Sequence, residues 1–235
     1  FCDNVSISFV RIDKTSPLLC CPFSSPSAPD TSLFLLSNAC DTPGGPQLRV
    51  SGTIGGNVCT AATSGDSAST LFAYGALLDV ASVRGTRTIP IEEWYAGPGR
   101  SHKERDELLV KIRIPRSHYE GFTGYYFKYG KRNALEITTM GCCCLVKLAA
   151  DKSTIEDIRL AFGVAGPTPM RALAAEDAVR GLSVAEAAEK IGELAAGCTN
   201  PRDSWRASKE FRLQLIKEMS KRSLIYAARR GGADI

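Results

Sequence analysis

One run constrains this chain more than any other: Gly52-Thr53-Ile54-Gly55-Gly56-Asn57-Val58-Cys59, followed by Ala61-Ala62-Thr63-Ser64-Gly65-Asp66-Ser67. Two adjacent glycines behind a hydroxyl residue permit positive φ and let a ligand approach the backbone closely. Consecutive N–H groups in such a turn form a concave anion site suited to a pyrophosphate. The small residues that follow leave little bulk in the way. Asp66 then offers a carboxylate that can accept hydrogen bonds from sugar hydroxyls. A tight turn between strands accounts for a bare Gly-Gly just as well. The neighbouring sequence has to decide between the two.

Around this run the pattern is α+β. A short helix is expected over residues 67–74, with Asp66 or Ser67 as its N-cap. Residues 77–83 alternate like a strand, and Arg84-Gly85 turns them into a second strand ending at Pro90. Residues 91–94 suit a helical turn, and Gly97-Pro98-Gly99 a loop. From Leu108 to Ile114 apolar residues alternate with basic ones, the mark of a strand with one wet face, and Pro115 ends it. Charge, Pro and Gly content rise between Pro115 and Gly121, which marks a boundary. Strands are expected at 125–130, 141–148 and 155–164, in succession and therefore antiparallel. Ser183-Val184-Ala185-Glu186 is a capping box ahead of an Ala-rich helix over 183–196. In a last helix, 205–229, Phe211, Leu215, Ile216 and Met219 recur at helical spacing as a buried stripe. Helices covering one face of an antiparallel sheet is the expected layering.

Composition excludes several functions. With 29 basic against 25 acidic residues, the net charge of +4 is too balanced to imply a nucleic-acid partner. No window reaches the ~18 apolar residues a membrane-spanning helix needs. The nine cysteines include Cys20-Cys21 and Cys142-Cys143-Cys144 but no C-x-x-C pair, so neither a zinc site nor a disulfide framework is indicated. They read as small core hydrophobes, alternately facing core and solvent in the triplet, in a protein of the reducing cytoplasm. His102 and His118 sit in charged, loop-like surroundings and read as solvated. No nucleophile elbow or Walker loop is present. Such a chain suits a protein whose cofactor does the chemistry.

Several motifs occur in the order and at the spacing of one family. They are Gly45-Pro46-Gln47-Leu48-Arg49, the glycine run, Arg84-Gly85-Thr86-Arg87 to Pro90, and Asp106-Glu107-Leu108-Leu109 to Ile114-Pro115. Phe127-Lys128 to Arg132 and Ser204-Trp205-Arg206-Ala207-Ser208-Lys209-Glu210-Phe211-Arg212 complete the set. From about Gly44 to about Gly232 the chain resembles the FAD-binding (medium) subunit of bacterial xanthine dehydrogenase, of the molybdenum hydroxylase family. The resemblance implies an α+β chain: the second lobe of a PCMH-type FAD-binding domain at 44–117, then a CO-dehydrogenase-flavoprotein-like C-terminal domain at 118–235. It implies that Thr53, Ile54, Gly55, Gly56 and Asn57 hold the FAD pyrophosphate, that Cys59 flanks the cofactor through its backbone, and that Asp66 binds ribityl or ribose hydroxyls. It places Leu109 against the isoalloxazine or its neighbouring polar edge, and Lys128 near the flavin pyrimidine. Taken alone, Lys128 between Tyr126 and Tyr129 would be a snorkelling surface lysine.

The implied function is electron transfer. A large subunit carries the molybdenum cofactor, a small subunit carries [2Fe–2S] clusters, and electrons pass through FAD to NAD or another acceptor. A flavin-free structural or assembly subunit and a generic α+β binding module are the alternatives. Residues 1–43, rich in Ser, Pro and Cys, match no glycine-rich first loop of that family and are expected to form an irregular or aberrant leader. With Phe1 in place of Met, the chain is expected to be a fragment, a processed product or the result of a mistranslated start, and residues 1–235 alone to hold FAD weakly.

Overall fold

A computed structural model describes residues 52–132 and 135–235, together with the backbone of 4–8 and the positions of Leu35, Leu36 and Ala39. Ten strands and six α-helices are described. In chain order they are β1 (Asn4–Ser8), α1 (Ile54–Thr60), α2 (Asp66–Ala73), β2 (Leu77–Ser82), β3 (Gly85–Pro90), α3 (Ile91–Trp94), β4 (Tyr95–Gly97) and β5 (Arg100–Ser101). There follow β6 (Leu108–Pro115), β7 (Thr123–Tyr129), β8 (Met140–Leu148), β9 (Ile155–Gly163), β10 (Met170–Arg171), α4 (Leu173–Val179), α5 (Val184–Gly197) and α6 (Lys209–Arg230). The order β1-β6-β2-β3 makes one antiparallel sheet and β10-β9-β8-β7 another.

Part of the stretch expected to be irregular is therefore regular: Asn4–Ser8 pairs with β6 over Asn4↔Pro115 to Ser8↔Lys111. Leu35, Leu36 and Ala39 are buried in the first core. The rest of residues 1–51, including the Gly45–Arg49 motif and Cys20-Cys21, lies outside the described residues.

The element that joins the two halves is α2. All eight of its residues are buried. Leu71 and Phe72 belong to the first core, and the helix also packs on β8 and β9. Its ends are matched to the helix dipole. Asp66 opens it, and Arg159 Nη1 lies 3.3 Å from the carbonyl of Ala73 at its close. Gly65 occupies the N-cap without a side-chain bond. The expected cap by Asp66 or Ser67 does not form, because both side chains are drawn to other elements.

That packing corrects the reading of the cysteine triplet. Cys142, Cys143 and Cys144 are all fully buried: Cys143 faces the first core, and Cys142 and Cys144 face the second. The C-terminal sheet carries α6 on one face and α2 on the other, so β8 has no wet side. Burial pushes the Cys142 thiol up to about 12 and raises the Cys143 and Cys144 thiols well above the ordinary thiol value.

In the last third, α5 carries the full capping box between Ser183 and Glu186. α6 begins at Lys209 rather than 205, because Ser208 Oγ accepts from Phe211 N and caps it there. Its buried stripe runs through Arg212, Ile216, Met219, Ser223, Leu224 and Ala227. Phe211 is 42% exposed and edges onto Tyr129 instead of joining that stripe. His118 is half-buried, its Nδ1 2.8 Å from the Tyr74 carbonyl, and so is less solvated than expected.

Candidate functional site

The glycine run is helical. Thr53 is the N-cap of α1, and its Oγ1 accepts from Gly56 N at 3.0 Å while its carbonyl accepts from Asn57 N at 3.0 Å. Neither Gly55 nor Gly56 has positive φ, which corrects the expected turn. Two glycines are poor helix formers. Here the cap, the buried Val58 and the bond from Trp94 Nε1 to the Val58 carbonyl (3.0 Å) outweigh that preference. A Cβ on Gly56 would meet Thr53 Oγ1 at 3.1 Å, so glycine keeps the cap hydroxyl uncrowded. Gly56 and Thr53 are exposed.

Asn57 turns away from the helix mouth. Its Oδ1 accepts from Ser67 Oγ at 2.6 Å and ties α1 to the first turn of α2. The next link is Asp66, only 7% exposed. Its carboxylate accepts from Tyr126 Oη at 3.1 Å, from Thr138 Oγ1 at 2.5 Å and from Lys128 Nζ at 3.1 Å. All three donors belong to the C-terminal half. A carboxylate offers about four lone-pair sites, so this one is nearly saturated by its own chain and has room for about one further donor. The Lys128 ammonium carries three donors, and it is not a snorkelling surface group: its side chain is 12% exposed. Ile54, Cys59 and Leu109 line the margin of the first core together, each partly buried. Burial raises the Cys59 thiol, against the pull of Lys103.

The nine residues singled out from the sequence thus gather around α1 and the start of α2. Asp66 touches Lys128, and Asn57 touches the neighbour of Asp66. Tyr126 and Thr138 were not anticipated as part of this cluster. Their alternation on β7 and position before β8 carry no local signal, since their partner is 60 and 72 residues away in sequence.

Fold and family models define the class. Residues 20–117 match the FAD binding domain in molybdopterin dehydrogenase, and residues 125–227 match the CO dehydrogenase flavoprotein C-terminal domain. The first match starts well ahead of Gly44. The chain is 40% identical over 201 residues to the xanthine dehydrogenase FAD-binding subunit of Escherichia coli O157:H7, covering 85% of this chain and 68% of that one. It is 26% identical to the carbon monoxide dehydrogenase medium chain of Hydrogenophaga pseudoflava, covering 82% and 66%. A solved structure of carbon monoxide dehydrogenase from the same organism, lacking the Mo-pyranopterin moiety, superposes with a TM-score of 0.78 at 27% identity over 87% of this chain and 71% of that one. The chain belongs to the FAD-binding medium subunits of the xanthine dehydrogenase-like molybdenum hydroxylases. It spans about two thirds of the length of the curated relatives it matches. Among the described residues no helix is long and apolar enough to cross a membrane.

Proposed function

We propose that this chain holds FAD between its two halves and relays electrons within a molybdenum hydroxylase. In this reading a large subunit carries the molybdenum cofactor, a small one carries [2Fe–2S] clusters, and NAD or another acceptor takes the electrons in the cytoplasm. The observation that carries the reading is the buried Asp66–Lys128 pair next to the Thr53-capped, glycine-bearing helix α1.

The residues present fit a flavin dinucleotide by the chemistry of their donors. The dinucleotide has phosphates, a polyol and a flat apolar ring, and the cluster offers a complement to each. Of Thr53, Ile54, Gly55, Gly56 and Asn57, the Thr53 hydroxyl and the first-turn backbone of Ile54 and Gly55 are offered to the phosphates; the N–H groups of Gly56 and Asn57 are donated to Thr53 and shape that turn, and Gly56 adds no side chain. Cys59 follows on the same helix, its backbone alongside the cofactor. Asp66 has acceptor capacity left for a hydroxyl, and Leu109 gives an apolar contact. When bound, FAD supplies the redox chemistry of the subunit. Lys128, held by Asp66, places an ammonium where charge added to the pyrimidine edge would be stabilised.

Lys128→Met tests this. Losing an interaction of about 1.4 kcal/mol with the reduced form lowers a two-electron midpoint potential by about 30 mV. A potential unchanged in the flavin-loaded variant would remove Lys128 from the flavin's surroundings.

A further inference from the structure

Arg212 is a cation kept under unfavourable conditions. It is 2% exposed and sits in the first turn and a half of α6, at the helix end where the dipole disfavours positive charge. Among the described residues no carboxylate stands within ion-pair distance of it, Asp203 acting only from further off, and its Nε has no hydrogen-bond partner. Burial, with Arg202 and Arg206 nearby, holds its pKa below the usual arginine value. An unpaired buried charge is strongly destabilising. An apolar residue would fill this place at lower cost, unless the guanidinium is needed for what it holds.

What it holds is the chain next to Asp66. Nη1 donates to the carbonyl of Thr139, and Nη2 donates to Ser204 Oγ at 2.9 Å. On the other side of the same residue, Thr139 N donates to the Tyr129 carbonyl at 2.9 Å. Thr139 is thereby fixed through both of its backbone polar groups directly before β8, where residues 135–139 form no helix or strand. One residue earlier, Thr138 Oγ1 donates to Asp66 at 2.5 Å. Without a fixed Thr139, a threonine on an irregular segment has many rotamer and backbone states in which that hydroxyl misses the carboxylate.

We propose that Arg212 is a positioning residue for the flavin site: its guanidinium fixes Thr138–Thr139 so that the Thr138 hydroxyl orients Asp66. This rests on the flavin reading above and adds the last helix to the site. The effect is indirect, through Thr139 and Thr138, and so it has a distinctive thermodynamic form. Residues acting in one chain are non-additive, whereas independent ones multiply.

The test uses the subunit expressed from its own complete reading frame, as apoprotein titrated with FAD. Arg212→Met, Thr138→Val and the double variant are compared by FAD dissociation constant and by the visible circular dichroism of the bound flavin. Each single change is expected to weaken FAD binding about 3- to 10-fold, the worth of one hydrogen bond, and the double to weaken it no further than the worse single. Both singles should alter the flavin dichroism in the same way. Arg212→Lys, which keeps the charge but replaces the two separate Nη donors by a single nitrogen, should recover only part of the affinity. Should Arg212→Met not fold, Ser204→Ala removes one anchor of the guanidinium without opening the core, and it too should be non-additive with Thr138→Val. Effects that multiply, or an unchanged FAD affinity in Arg212→Met or Ser204→Ala, would overturn the proposal. A parent subunit that takes up no FAD would instead overturn the flavin reading.

Discussion

The Nζ of Lys128 lies 3.1 Å from the carboxylate of Asp66, two side chains 62 residues apart that are both close to nine-tenths buried. One stands on β7 of the C-terminal half, the other opens α2. The pair therefore does two things. It fastens the halves together, and it fixes a positive and a negative group one residue from the Ser67–Asn57 hydrogen bond that ties α2 to the glycine-bearing helix.

Asp66→Ala separates those roles. It removes an acceptor for a polyol hydroxyl and takes one shared acceptor from Lys128, Tyr126 and Thr138. FAD affinity should fall by about 1–3 kcal/mol, and stability should fall as well, because a mostly buried ammonium loses its counter-charge. Asp66→Asn, which keeps the shape and one acceptor oxygen, should cost less on both counts. FAD titration and urea unfolding on the same samples give the two numbers. An unchanged affinity in Asp66→Ala, with stability lost, would leave the residue a purely structural one.

Gly56 offers the converse separation. Its backbone is helical, so Gly56→Ala gains about 0.5–1 kcal/mol of helix propensity and loses some of it to the 3.1 Å approach of the new Cβ to Thr53 Oγ1. The urea midpoint should hardly move. Flavin binding should weaken, since a methyl group now stands at the exposed first turn, and Gly56→Val should weaken it more. Equal loss of folding and binding would mean that the glycine serves the helix rather than the ligand.

Much of this was legible in the sequence, and the failures have physical causes. The strands Leu77–Ser82 and Leu108–Pro115 alternate because one face is more exposed than the other, and they stand where their pattern puts them. The glycine run marks the right place for a site but the wrong backbone. Glycine's freedom permits a positive-φ turn without requiring one, and the Thr53 cap selects helix. Asp66 was identified by its offset from the glycines. Its partners Tyr126 and Thr138 come from another domain, and no local periodicity encodes a contact across 60 or more residues. For Cys142–Cys144, alternation assumed one covered face, but α2 covers the second. Arg212 closes the last of the family motifs with nothing local to mark it as a core residue, and only tertiary packing shows it buried.

Cysteine chemistry provides an independent check on that packing. Burial raises all three thiols of the triplet far above neutrality, so almost no thiolate is present. Alkylation of the native protein at pH 8, read by mass spectrometry, should leave Cys142, Cys143 and Cys144 unmodified while half-buried Cys198 reacts. Rapid labelling of Cys143 would contradict the placement of α2 on the sheet.

The pH dependence of stability should show Glu107. The Arg87 guanidinium, at 2.6 and 2.9 Å, and the Glu104 amide hold its carboxyl at about 2. A depressed pKa means that the unfolded chain binds the proton first. The stabilisation is complete above the ordinary glutamate value of about 4.3 and is lost as pH falls from there towards about 2. Glu107→Gln should be less stable than the parent at neutral pH, with a shallower loss across that acid window. Parallel pH profiles would show that the pair contributes nothing.

The central claim is that this chain is a flavin carrier, and the flavin stoichiometry of the purified subunit tests it most directly. The subunit is expressed from its own complete reading frame, its folding is checked by far-ultraviolet circular dichroism, and the flavin released on denaturation is quantified against protein. The account predicts one FAD per chain, with the complement lost in Asp66→Ala and retained in a surface control such as Arg222→Ala. A folded subunit that stays colourless and takes up no FAD from excess cofactor would contradict it.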